Sequence, residues 1–247
     1  GASTKNAGFA CFGSISELDD DLKECSEDEL VTLTDKRYRG IRELRKLLGD
    51  DALQFEPVGG YELGFDQSAC DRIEFYNNLL DKVFPSAPFS EVTKDLKNYP
   101  FSKKVTHLIK HQFEGTIHTG KMMGSLIDLA LELGIRVYTG CEVTQMESDT
   151  YPIRVHTVSN KQTVEFRATR VALCTNAFTS LLLPELDLKP GRGQVLITKP
   201  IPNLHLKGSF HYHRGYHYFR TIDNRILLGG GRQLDKTGET SLAFEPN

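Results

Sequence analysis

The chain has 247 residues, 39% hydrophobic and 26% charged, enough to bury a sizeable core in one or two domains. Its net charge of −3 gives no electrostatic footprint for nucleic acid. No apolar run approaches the roughly 18–20 residues that span a bilayer, and no signal peptide is visible. Five widely spaced cysteines, none in a Cys-x-x-Cys pair, read as reduced thiols in a cytoplasmic protein and not as a disulfide frame or a zinc site.

In chain order, residues 14–24 predict a short helix capped by Ser14 or Ser16. Ser26-Glu-Asp-Glu29 is a capping box that opens a longer helix to about Leu48, stopped by Gly49. Residues 53–65 read as a strand pair around Gly59-Gly60, and 68–83 as an amphipathic helix ending before Pro85. A loop-rich stretch follows at 86–102, then a strand at 104–114 and a helix at 119–133. Strands are expected at 135–139, 142–148, 152–158 and 163–168, and again at 194–199, 208–220 and 225–230. Alternating β/α pieces beside a β-rich meander indicate two layers of a mixed α/β fold.

Two short motifs point elsewhere and fail on chemistry. Gly115-Thr-Ile-His-Thr-Gly120-Lys121 has the spacing of a phosphate-binding loop, but Met122 has no hydroxyl for Mg²⁺. His211, His213 and His217 could face one ion, since 211 and 213 share a face in a strand. No Asp, Glu or Cys sits close in sequence to complete that site, so no metal ligand is assigned.

The stretch 169–194 carries more. An apolar run, Val171 to Leu173, ends in Cys174, Thr175, Asn176 and Ala177, and an apolar helical turn follows to Pro184. A strand that stops in small residues before a helix lets backbone N–H groups approach a bound cofactor. Around it stand Ala-Ser-Thr-Lys-Asn-Ala-Gly-Phe at 2–9, the block from Gly115 to Val143, Arg192-Gly193-Gln194, and Tyr-Phe-Arg through Gly-Gly-Gly-Arg at 218–232. In that order the five blocks resemble the D-amino-acid-oxidase-like family of FAD-dependent oxidoreductases, which includes glycine and sarcosine oxidases and D-amino-acid dehydrogenases.

The resemblance implies a two-domain flavoprotein fold, α/β, with a Rossmann-like FAD domain and an antiparallel-sheet substrate domain that interleave. Residues 1–50 and 115–184 would belong to the first, 51–114 and 185–247 to the second. It places Lys5, Asn6, Ala7 and Gly8 in a loop at the flavin, Val143 at the adenine through its backbone, and Thr175, Asn176 and Ala177 at the cofactor. Asn176 stands where the family usually has Gly. The family's opening Gly-x-Gly-x-x-Gly turn occurs nowhere here, so the FAD domain reads as incomplete and the chain as a piece of a longer enzyme without turnover of its own.

Tyr216, Tyr218 and Arg220 are the expected substrate-binding residues, on one face of one strand by their i, i+2, i+4 spacing. A guanidinium fork pairs with a carboxylate and tyrosyl hydroxyls add a further bond, which is the clamp an amino acid needs. The competing reading is a solvated strand face with a cross-strand ion pair. Arg192 and Arg232 are weaker candidates. The implied reaction is oxidation of an amine or amino acid by hydride transfer to flavin, and no acid–base residue is nominated. A stand-alone ligand-binding or interaction module without a redox cofactor is the alternative.

Overall fold

The computed structural model describes residues 2–243. The first half contains β1 (Phe9–Ala10), α1 (Ile15–Asp21), α2 (Glu27–Leu48), α3 (Asp50–Leu53), β2 (Gly60–Gly64), α4 (Ile73–Leu79), β3 (Phe89–Glu91), β4 (His107–His111), β5 (Gly115–Thr116) and α5 (Thr119–Glu132). The second half adds β6 (Glu142–Glu147), β7 (Ile153–Ser159), β8 (Gln162–Ala168), α6 (Thr179–Leu182), β9 (Val195–Ile197), β10 (Ser209–Tyr212), β11 (His217–Ile222) and β12 (Arg225–Gly230). The chain packs as two compact units. One runs to Asp128 and includes Gly193–Gln233; the other holds Leu129–Arg192 and the stretch from Leu234.

The helix starts follow local chemistry. Ser14 and Ser26 each form a full capping box, with Glu17 and Glu29 bonding back to the cap N–H. The first helix buries Ile15 and Leu18, the second Leu30, and these join Phe12, Tyr76, Leu80, Phe84, Phe89 and Ile109 in the largest core cluster. Gly49, at φ 83°, ends α2.

The first unit is organised by a seven-stranded sheet in the order β3-β4-β2-β10-β11-β12-β9. Only β2 and β10 run parallel; the remaining neighbours are antiparallel, so the sheet is mixed. Side chains alternate between its faces. One face packs Leu63, Leu108, Phe210 and Leu206 against Tyr99 and Phe101. The other carries Glu62, Ile109, His111, His211, Tyr218 and Arg220, as the paired registers require. The second unit contains the antiparallel meander β6-β7-β8.

Four expected strand segments differ. Residues 53–65 give a helical turn, an isolated bridge at Glu56 and the single strand β2, not a pair. Residues 208–220 are two strands, because His213, Arg214 and Gly215 all take positive φ and fold the chain into a hairpin. Residues 135–139 and 171–173 form no ladder at all, and Ile135 and Tyr138 remain more than half exposed. A strand exists only through its neighbours' hydrogen bonds, and neither segment pairs with a strand among the described residues. No helix among those residues is long and apolar enough to cross a membrane.

Candidate functional site

The N-terminal loop is wound around one amide. Asn6 donates through Nδ2 to the carbonyls of Ala2 (2.9 Å) and Ser3 (3.1 Å), and its Oδ1 accepts from the Gly8 N–H (2.9 Å). Lys5 and Asn6 are exposed, whereas Ala7 and Gly8 are buried. Gly8 adopts φ +68°, and a Cβ there would lie 2.4 Å from the Ile117 carbonyl oxygen. Only glycine permits that approach.

Arg220 locks this arrangement. Its Nη1 donates to the Gly8 carbonyl (3.4 Å) and its Nη2 to that of Ile117 (3.0 Å). The side chain is buried, and its Nε has no hydrogen-bond partner among the described residues. Burial holds the guanidinium below its ordinary range, countered by the charges of Glu56 and Asp223. Five N–H donors minus two used leaves three, so the fork retains capacity for an anion. Arg220 also lines an open cleft of ≈ 310 Å³ with Glu56, His118, Lys207 and Asp223.

Tyr218 shares the strand face with Arg220. Its ring lies across Gly229, where a Cβ would come within 2.2 Å of it, and meets Phe9 edge-on at 5.7 Å. Burial raises its phenol above the ordinary value, so it remains a hydroxyl donor. Tyr216 is not on that face, because it stands in the turn before β11, exposed and edge-on to His213. His211 packs against Phe9 at 5.0 Å, while His213 is in the same turn as Tyr216.

Behind Phe9 lies a buried polar cluster that the sequence reading did not single out. Glu114 accepts from the Phe12 N–H (2.9 Å) and the Gly13 N–H (3.3 Å) through Oε1, and its Oε2 stands 3.2 Å from His111 Nδ1. Both side chains are fully enclosed. Burial opposes charge on each, but mutual attraction and the hydrogen bond hold His111 above and Glu114 below their ordinary values. Glu62 accepts from the Ser16 N–H, and His211 Nδ1 is 3.7 Å from Glu17. A signal was present: Gly-Tyr-Glu62-Leu-Gly puts a carboxylate inside an otherwise apolar strand, which requires a buried partner.

In the second unit, Val143 lies in β6 opposite Thr157. Thr175 precedes a short 3₁₀ turn over Asn176–Phe178, and its hydroxyl is 2.9 Å from that of Thr179. Asn176 takes φ +47°, the left-handed geometry glycine would supply at no cost, and Ala177 continues the turn. Arg192 forms a 2.7 Å ion pair with Glu239, both mostly buried. Arg232, in the first unit, is exposed.

Residues 1–246 are matched by the family model described as FAD dependent oxidoreductase (DAO). Among solved structures, glycine oxidase from Geobacillus kaustophilus superposes with TM-score 0.67 at 19% identity, over 94% of this chain and 62% of that one. L-proline dehydrogenase from P. horikoshii gives 0.65 at 18%, over 83% and 56%. An FAD-bound, dithionite-reduced L-α-glycerophosphate oxidase from Mycoplasma pneumoniae gives 0.64 at 16%, over 92% and 60%. These identities speak for the fold, and the chain spans about three fifths of each of these neighbours. No curated protein sequence matches it.

Proposed function

Because the chain belongs to the FAD-dependent oxidoreductase family, we propose that it serves the oxidation of an amine or amino acid. The observation that carries this reading is the Arg220 junction. One guanidinium ties the Gly8 loop to the sheet face that bears Tyr218, and still has three N–H groups to offer.

The residues fit the cofactor. Gly8 lets the loop pack directly on the Ile117 carbonyl and the Arg220 guanidinium, and Asn176 holds the left-handed turn, two backbone features that support the cofactor reading. On this reading Lys5, Asn6, Ala7 and Gly8 are the flavin-contacting residues of the first unit; Val143, Thr175, Asn176 and Ala177 are candidate FAD contacts of the second unit taken by itself. The flavin, when bound, supplies the hydride acceptor. Arg220 and Tyr218 orient the substrate carboxylate, with Tyr216 closing the approach from the turn. Glu56 and Asp223 beside Arg220 and Lys207 give the cleft both signs of charge, which suits a zwitterionic amino acid better than a phosphoester.

The functional division, flavin-side 1–50 and 115–184 against substrate-side 51–114 and 185–247, belongs to the same proposal. So does the absence of turnover by this chain alone, since no Gly-x-Gly-x-x-Gly turn occurs in it. The test is titration with FAD followed by flavin fluorescence, then anaerobic addition of glycine, proline and glycerophosphate. Binding without bleaching is expected. Bleaching by an amino acid would overturn only the inactivity, and bleaching by glycerophosphate alone would overturn the substrate class. No FAD binding would overturn binding by this chain alone and agree with the missing Gly-x-Gly-x-x-Gly turn.

A further inference from the structure

At the far end of β4 from His111, on the same sheet face, three side chains of different chemistry meet. His107 opens β4, Glu91 closes β3, and Cys70 sits in the short 3₁₀ turn that leads into α4. A ring nitrogen of His107, a carboxylate oxygen of Glu91 and Cys70 Sγ all lie within 4.8 Å of one another, the one such set of three His, Cys, Asp or Glu residues among those described. We propose that Cys70, Glu91 and His107 form a site for a single divalent cation of the zinc type, with water completing the coordination.

The distances suit a small ion. Bonds of 2.0–2.3 Å from a common centre put the donors of a tetrahedral site roughly 3.3–3.8 Å apart. His107 Nδ1 and Glu91 Oε1 are already 3.4 Å apart, and Cys70 Sγ lies within 4.8 Å of a donor atom on each residue. A thiolate beside an imidazole selects zinc over magnesium or calcium, which take oxygen donors. The set is also supported from behind and open in front. Thr93 Oγ1 donates to Glu91 Oε1 at 2.6 Å and fixes the carboxylate, while Glu91 is exposed and gives an entry path. Cys70, by contrast, is buried.

Without an ion, burial pushes the Cys70 thiol up to about 11, with Glu91, Asp71 and Glu62 adding to the shift. Binding therefore releases its proton to solvent as the sulfur–metal bond forms. The bound ion would clip the 3₁₀ turn to the edge strand β3 and to β4, three segments distant in sequence. None of this depends on the flavin reading.

The experiment is titration of the purified full chain with cobalt(II) at neutral pH. A thiolate-to-cobalt charge-transfer band should appear in the near ultraviolet, saturate at one cobalt per chain, and be displaced by zinc but not by magnesium. Cys70→Ser should abolish it, Glu91→Gln should weaken cobalt binding about tenfold or more, and Cys174→Ser should leave it unchanged. Circular dichroism checks that each variant folds, and the exposed Glu91 provides a readout should Cys70→Ser fail that check. No band, a band that does not saturate at one equivalent, or one that survives both Cys70→Ser and Glu91→Gln would overturn the assignment.

Discussion

Replacing Glu114 by glutamine removes one negative charge from a fully enclosed site while keeping its shape. The native carboxylate makes three contacts, to the N–H groups of Phe12 and Gly13 and to His111 Nδ1. A hydrogen bond to a charged group contributes about 1.5–3 kcal/mol, against about 0.5–1.5 for a neutral one. The loss is thus about 1 kcal/mol or slightly more per contact, and the 3.3 Å bond to Gly13 counts for less. Glu114→Gln should therefore lose about 2–4 kcal/mol. Glu114→Ala would leave two N–H groups and an imidazole buried without partners, at about 1–3 kcal/mol each. That approaches the whole stability of a domain, about 5–15 kcal/mol.

The pH dependence separates charge from shape. His111 is held above its ordinary value, so its contribution is full below the unfolded value, about 6.5, and is lost as pH rises through the folded one. Glu114 is held below its ordinary value, so its contribution is full above the unfolded value, about 4.3, and is lost as pH falls through the folded one. The pair therefore stabilises most across mildly acidic pH. Urea midpoints measured from acid to alkaline pH should show that maximum in the native chain and a flattened one in Glu114→Gln. A variant within about 0.5 kcal/mol of the native chain, with a parallel pH profile, would refute the buried ion pair.

Other outcomes follow from the same geometry. Gly8→Ala should cost more than about 1 kcal/mol, because it combines a φ of +68° with a Cβ 2.4 Å from the Ile117 oxygen; faster proteolysis within the N-terminal loop would report it. Arg220→Lys keeps the charge but cannot bridge the Gly8 and Ile117 carbonyls as a fork does, so a loss of about 1–3 kcal/mol is expected in denaturant. An unchanged midpoint would mean that the loop is held by other contacts. Ser26→Ala removes the hydroxyl of the α2 capping box, and urea unfolding should register about 1 kcal/mol.

What could be read in the sequence was what local chemistry determines. The Ser26 capping box and the Gly49 stop depend on residues within one turn of each other, and α2 begins and ends there, while of the two caps offered for α1 it is Ser14 that serves. Asn176 stands where the family usually has glycine, and its φ is +47°, a backbone that Asn tolerates better than most residues. The apolar segments 135–139 and 171–173 have strand composition, but a strand is a relation between segments that composition does not contain. The hairpin inside 208–220 was hidden because His213 and Arg214 are uncommon at positive φ, and only Gly215 hinted at a turn. At the site, the shared face of Tyr218 and Arg220 followed from strand alternation. The partners of Arg220 did not, since they are backbone carbonyls more than 100 residues away. Backbone acceptors leave no mark on residue identity.

The parallel pairing of β2 with β10 has a consequence for synthesis. Ser209 bonds to the Gly59 carbonyl across 150 residues, so the middle of the sheet cannot close until β10 leaves the ribosome. At about 5–20 residues per second, that interval is roughly 8–30 s. Once β4 is made, Leu63 and Leu108 have Tyr99 and Phe101 against them but lack Phe210 and Leu206, which have not yet been made. The nascent chain therefore carries an open strand edge and an incompletely covered apolar face for many seconds, a state in which a holding chaperone would find its substrate.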